Sequence, residues 1–154
     1  MSDELTFKKI LFPVDLSEVS PKIAPHVKKL KDQLGAELHV LFVARQMKHY
    51  GGLYVPHLNI KMFEDELMKG AKKKLREFLN ETFSQVPLVS KVVYGDPAEE
   101  IINYAQAEGM DLIVMGTHGR KGLERILFGS VAEHVVKNSP VPVLTVNPYR
   151  IASA

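Results

Sequence analysis

Short apolar runs alternate with longer stretches of helical periodicity from one end of the chain to the other, and this alternation constrains the fold most. Ile10-Leu11-Phe12-Pro13-Val14 is the first run, in a strand expected to start near Phe7. Leu38–Val43, Leu88–Tyr94, Asp111–Met115 and Val141–Val146 are the others. These runs are near-continuously Ile, Val and Leu rather than alternately polar, as strands buried on both faces are. Between them, Ile23, Val27, Leu30 and Leu34 recur at helical spacing. So do Ile60, Phe63, Leu67, Ala71, Leu75 and Phe78. Ala98, Ile101, Ile102 and Ala105 form a third helical face, and a fourth helix is expected from Ser130 to about Lys137. Ser20 is read as the first helix's N-cap, with Pro21 behind it, Pro25 as an irregularity and Gly35 as its stop.

Five strands and four helices in strict alternation predict a doubly wound α/β fold, a five-stranded parallel sheet with helices on both faces. One domain spanning 1–154 is expected, with 148–154 as a mobile polar tail. Sheets of this kind bind ligands beyond the carboxyl ends of the strands, where the strand order reverses. That rule directs attention to Asp15, Val43 and Gly116.

Charge and composition narrow the function. Lys+Arg is 20 against Asp+Glu 18, a net charge of +2, so no nucleic-acid partner is expected. Lys69, Lys72, Lys73, Lys74 and Arg76 share a helix with Glu64, Asp65, Glu66, Glu77 and Glu81, the pattern of a solvated face with an Asp65–Lys69 pair. There is no Cys, which excludes disulfides, thiolate metal sites and cysteine catalysis. The six His show no metal-ligand spacing. An acidic start (Asp3, Glu4) and the absence of a long apolar run predict no membrane partner and a cytoplasmic location.

The informative segment runs from Met115 to Val131. Gly116 leaves the fourth strand, Gly119 permits a tight turn, and Gly129-Ser130 opens a helix. The first amides of that helix have no partner within it and sit at its positive end, a ready anion site. Arg120, Lys121 and Arg125 add positive charge nearby. Ser130-Val131-Ala132-Glu133 also fits a capping box, in which the helix satisfies its own donors. The spacing, glycine, two residues, glycine, nine residues, glycine-serine, is one that roughly one random chain in a hundred or fewer would carry.

With this spacing the segment resembles the nucleotide-binding loop of the universal stress protein family, in its ATP-binding branch. The resemblance extends along the chain through Phe12-Pro13-Val14-Asp15, Leu41-Phe42-Val43, Gly95-Asp96-Pro97 and Val141-Pro142-Val143-Leu144. It implies a strand order of 3-2-1-4-5. It also implies ATP as ligand, with Mg2+ (or Mn2+) held mainly by the phosphates. Pro13, Val14 and Asp15 would lie against adenine and ribose, and Val43 would offer backbone groups to the adenine edge. Met115 and Gly116 would approach the ribose. Gly119, Gly129, Ser130 and Val131 would hold phosphates, with Thr117, His118, Arg120, Lys121 and Gly122 folded over them. A homodimer through Val141–Asn147 is implied as well. The loop 45–59, with Tyr50 and Tyr54, is variable in the family and carries no assignment, although a lid is one reading of it.

No P-loop, no G-x-S-x-G elbow and no evident general base occurs. Binding is therefore better supported than turnover. The leading expectation is an ATP-dependent regulator acting on an unknown protein partner in a stress response. The alternatives are a slow Mg-dependent ATPase or phosphotransfer enzyme, and a scaffold whose nucleotide is structural.

Overall fold

The computed structural model describes residues 5–46, 57–118 and 128–150. Strands β1 (Lys9–Val14), β2 (Glu37–Arg45), β3 (Val89–Gly95), β4 (Leu112–Gly116) and β5 (Val143–Val146) form one parallel sheet, ordered β3-β2-β1-β4-β5. Helices α1 (Ser20–Leu34), α2 (His57–Thr82), α3 (Pro97–Ala107) and α4 (Ser130–Asn138) make the crossovers. The expected doubly wound architecture is the observed one.

Successive side chains on a strand point to opposite faces, so each apolar run feeds two cores. Ile10, Phe12, Val14, Leu38, Val40, Leu112 and Val114 pack with Ile23 and Val27 of α1 and Leu75 and Phe78 of α2. Leu11, Leu41, Val43, Ile113 and Met115 pack on the other face with Ile101 and Ala105 of α3 and Ala132 and Val135 of α4. The sheet is thus covered on both sides, which is why its strands show no polar alternation.

Several boundaries differ from the sequence expectation for physical reasons. The α2 stripe becomes core at Ala71, whereas Phe63 is 42% exposed and Met62 65% exposed. The amino-terminal half of α2 therefore leaves part of its apolar surface to solvent. Ser20 is not an N-cap: it is the first helical residue, behind Val19, and its hydroxyl donates to Asp15 Oδ1 at 3.1 Å. The helix runs through Pro25, which lies on its exposed side and gives up one backbone bond there. Gly35 ends it in the left-handed conformation (φ 59), as glycine allows. On α2 the ion pair is Glu66–Lys69 at 3.6 Å rather than Asp65–Lys69.

β5 begins at Val143 rather than Val141. The Ser139 hydroxyl donates to the Val141 carbonyl (2.6 Å) and accepts from the Val141 amide (3.1 Å), so that residue's backbone groups are engaged before the strand starts. Pro148 and Tyr149 pack against the rest of the chain, and Arg150 is exposed. Pro148 is buried, and the Tyr149 ring stands edge-on to His118 at 5.3 Å, with Lys22 Nζ 5.8 Å from its centre. Residues 151–154, the rest of the expected mobile tail, lie outside the described residues.

One polar group interrupts the second core. His39, in the middle of β2's apolar run, is buried. Its Nδ1 lies 2.7 Å from the Tyr104 hydroxyl on α3 and its Nε2 lies 2.6 Å from Glu37 Oε1. One neutral tautomer satisfies both contacts: Nε2–H donates to the carboxylate, and the tyrosine hydroxyl donates to Nδ1. That hydrogen bond from His39, ahead of the neighbouring charges, holds the Glu37 carboxyl below the ordinary value of 4.5. Burial chiefly pushes the Tyr104 hydroxyl up, with the charges of Glu108 and Glu37 adding to it.

Two outcomes follow. Tyr104→Phe leaves a buried imidazole nitrogen without its donor, and urea unfolding should show a loss of about 1–3 kcal/mol. A loss within experimental error would mean that the α3–β2 bridge carries no stability. Glu37 has a folded value below its unfolded one. Its contribution is therefore complete above the ordinary glutamate value and is lost as pH falls through the lowered one. Glu37→Gln should flatten the loss of stability as pH falls below the ordinary glutamate value. Urea midpoints over that range that track the wild type would contradict this.

Candidate functional site

β1 runs between β2 and β4 and pairs with them unequally. With β2 it stays in register as far as Val14↔Phe42, whereas with β4 the register ends at Leu11↔Ile113. Both strands continue beyond that last shared rung, β1 to Val14 and β4 to Gly116. Pro13 lies in this unpaired stretch and brings no amide donor to it. β4 is held on its other side instead, where Gly116 pairs with Val146 and the Thr117 amide donates to the Val146 carbonyl at 2.9 Å. A gap therefore opens between the carboxyl ends of β1 and β4, at the point where the strand order reverses.

The β1 side of the gap is a tight turn. Asp15 Oδ1 accepts from the Ser17 amide (3.0 Å), the Ser17 hydroxyl (2.7 Å) and the Ser20 hydroxyl (3.1 Å). Leu16 takes a left-handed backbone (φ 60), at a cost of about 1–3 kcal/mol for a side chain of this kind. This oxygen of Asp15 thus serves the turn, tying the end of β1 to the start of α1.

The β4 side is tied to α4. The Gly129 amide donates to the Thr117 carbonyl at 2.7 Å, which sets the amino end of α4 beside the exit of β4. At Gly116 a Cβ would meet the His118 carbonyl oxygen at 3.2 Å and Ile23 Cδ1 at 3.3 Å, so the close approach there suits glycine. Thr117 and His118 are both buried, with Thr117 Oγ1 2.7 Å from His118 Nδ1. The His118 side chain is turned to Thr117 and Tyr149 and is buried.

The amino end of α4 decides between the two readings of Ser130. Gly129, not Ser130, is the N-cap, and no side chain caps the helix. The first α-helical bond runs from the Glu133 amide to the Gly129 carbonyl, and the Glu133 side chain pairs with Lys137 at 2.9 Å. The capping box is therefore not formed, and among the described residues the first-turn amides have no side-chain acceptor. α3 is the contrast: Asp96 Oδ2 accepts from the Glu99 amide at 3.1 Å, a capped start. An uncapped helix start suits the phosphate groups that the sequence resemblance implied.

Among the expected site residues, Pro13 and Val14 form the β1 lip, and Val43 and Met115 share one core cluster against which Val131 packs. Gly116, Thr117, Gly129 and Ser130 converge through the Thr117–Gly129 bond. Gly119, Arg120, Lys121, Gly122 and Arg125 lie outside the described residues, as do Tyr50 and Tyr54. A cleft of about 200 Å³ opens beside Ser130 and Val131, between the amino ends of α3 and α4. Arg45, Asp96, Pro97 and His134 also line it. Sequence reasoning missed Arg45 and His134. The available signals were Arg45's place at the end of the second strand and His134's position one turn after Ser130. Among the described residues no cluster of His, Asp or Glu could hold a metal ion, and no helix is long and apolar enough to cross a membrane.

A model of the universal stress protein family matches residues 6–147. Universal stress protein MJ0531 of Methanocaldococcus jannaschii is 38% identical over 147 residues, covering 93% of this chain and 84% of that protein. Universal stress protein MJ0577 of the same organism is 37% identical, covering 91% and 94%. A solved structure of MJ0577 superposes with a TM-score of 0.75 at 36% identity, over 96% of this chain and 99% of that one. Two more distant structures share the fold. One is a universal stress protein in complex with cAMP (20% identity, TM-score 0.67, 93% and 99% covered). The other is an Arabidopsis thaliana family member with AMP bound (18%, 0.59, 91% and 91%).

The two helix starts make opposite demands on their serine and aspartate. Asp96→Ala should cost about 1 kcal/mol in urea unfolding, the usual loss of a working cap. Ser130→Ala should stay within about 0.5 kcal/mol, since no cap bond is lost. Equal losses from the two substitutions would show that Ser130 does cap α4.

Proposed function

The chain belongs to the universal stress protein family, and from that premise we propose that it binds ATP and acts as a nucleotide-dependent regulator of a protein partner in the cytoplasm. The observation that carries this reading is the amino end of α4, which no side chain caps among the described residues and which the Thr117–Gly129 bond ties to the gap between β1 and β4. The cAMP and AMP complexes of two family members with this fold support an adenine nucleotide as the ligand class.

In the proposed complex the amides of Gly129, Ser130 and Val131 receive phosphate oxygens, and the Ser130 hydroxyl donates to one of them. Pro13, Val14 and Asp15 border adenine and ribose, Val43 offers its backbone to the base, and Met115 and Gly116 approach the sugar. Thr117 and His118 shape the exit of β4. Gly119, Arg120, Lys121 and Gly122 complete the phosphate side. With no cluster of metal ligands among the described residues, Mg2+ or Mn2+ rests mainly on the phosphates. Its part is to neutralise their charge.

We extend the proposal to a homodimer through Val141–Asn147. β5 is an edge strand, paired with β4 alone among the described residues, and Leu144 on it is 37% exposed. A two-fold axis would pair two such edges and remove both from solvent.

Nucleotide-free protein should gain about 2.7 kcal/mol of stability with Mg-ATP at one hundred times Kd. Gly129→Val should lose this gain while remaining folded. The backbone there (φ −70, ψ 164) admits a branched residue, whose side chain then occupies the phosphate space. No stabilisation of the wild type by ATP, with stabilisation by AMP or cAMP, would replace ATP as the ligand. None by any of the three would end the nucleotide reading. Steady-state phosphate release should be far slower than the ~10 s⁻¹ of a typical enzyme. Turnover near that value would make this an ATPase instead.

Light scattering should give the mass of two chains, reduced by the double substitution Leu144→Lys and Val146→Lys. A wild-type mass of one chain would refute the dimer, and an unchanged mass in the variant would place it elsewhere.

A further inference from the structure

The sheet has a second edge, remote from β5, and it borders a groove. β3 pairs with β2 over seven rungs, from His39↔Val89 to Arg45↔Gly95, and has no other strand neighbour among the described residues. Val89, Ser90 and Lys91 on it are exposed. Between this edge and α2 lies a groove of about 360 Å³. Leu75, Leu79 and Val92 give it an apolar floor, and Lys72, Arg76 and Lys91 line it as cations. Among the described residues no aspartate or glutamate lines it. The ion pairs that α2 forms among the described residues leave these cations out, since its pair is Glu66–Lys69.

We infer that this groove docks an extended acidic segment of a partner protein, which adds to β3 as a further strand. The interaction is separate from the nucleotide site. Three features fit this occupant together. The outer edge of β3 offers backbone donors and acceptors that an extended chain can pair with. The apolar floor packs against the methylene stems of the side chains turned toward α2, whose carboxylates reach the cations. Lys72 and Arg76, four residues apart on α2, stand about 6 Å apart along the helix. That spacing matches the ~6.6 Å between alternate residues of an extended strand. A segment with an acidic residue at every second position can therefore meet both cations in one register. A nucleic-acid strand would use the cations but leave the strand edge and the apolar floor unused.

The probe is a short fluorescein-labelled peptide alternating glutamate and valine, followed by fluorescence anisotropy on the full chain. It should bind, more weakly as salt rises, while the same peptide with lysine for glutamate should not. Lys72→Glu combined with Arg76→Glu should weaken binding about tenfold or more, from two reversed ion pairs. Should that variant fold poorly, Lys91→Glu alone should still weaken it measurably. Hydrogen exchange should slow at β3 amides when the peptide is present. Absence of binding, equal binding of the lysine peptide, or affinity unchanged in the charge variants would overturn the inference. So would binding with no slowed exchange in β3. Binding of single-stranded DNA, lost in the same variants and without peptide binding, would assign the surface to nucleic acid and equally overturn it.

Discussion

The site rests on an unequal pairing. β1 keeps β2 as a partner to its last residue but shares only two rungs with β4, Ile10↔Leu112 and Leu11↔Ile113. Past that point β4 is secured on its other side by β5, through Gly116↔Val146 and the Thr117 amide, and so it can part from β1 while staying in the sheet. The Thr117 carbonyl is then available to the Gly129 amide, and that single bond positions the start of α4. Removing the pairing with β5 would leave the β4 exit unsupported and the helix end unplaced. The short edge strand is therefore part of the site's construction as well as a candidate interface.

The second constraint is what the helix starts do with their donors. α3 satisfies its own through Asp96, whereas α4 begins at Gly129 with no side-chain acceptor among the described residues. A helix start near a strand-order reversal gains nothing for folding by being left open; a glycine there costs about a few tenths of a kcal/mol relative to a good side-chain cap. Leu16, in the left-handed region at the opposite lip, is a further local cost. Both lie beside the same gap, which is where a fold tolerates such costs when a ligand is held there.

Most of the architecture was legible because the inner strands β1, β2 and β4 are buried on both faces and each helix buries one face against the sheet. The two periods are distinct, and the apolar runs mark them from Ile10 to Val146. The start of α4 at Ser130 was legible, whereas the capping roles of Ser20 and Ser130 were not: the Ser20 hydroxyl is drawn to Asp15, and Gly129 supplies the cap position of α4. Such competition depends on groups brought near by tertiary structure, which a local reading does not contain. His39 was illegible for the same reason. Its partners are Glu37, two residues away along the strand, and Tyr104 on α3, sixty-five positions along the chain. Of the glycine loop, the anchors at Gly116 and Gly129 are described and tied together, while the stretch 119–127 lies outside the described residues. Arg45 and His134 entered with the cleft between α3 and α4, a juxtaposition of helix ends that spacing along the chain does not reveal.

The central claim is that the gap between β1 and β4 and the open end of α4 form one nucleotide seat. An amide correlation spectrum of nucleotide-free protein titrated with Mg-ATP tests it residue by residue. The account predicts shifts concentrated at Val14, Asp15, Val43, Gly116 and Gly129–Ala132, with the β3 edge unchanged. Saturating ATP that moves none of these amides, or that moves only residues of α2 and β3, would contradict it.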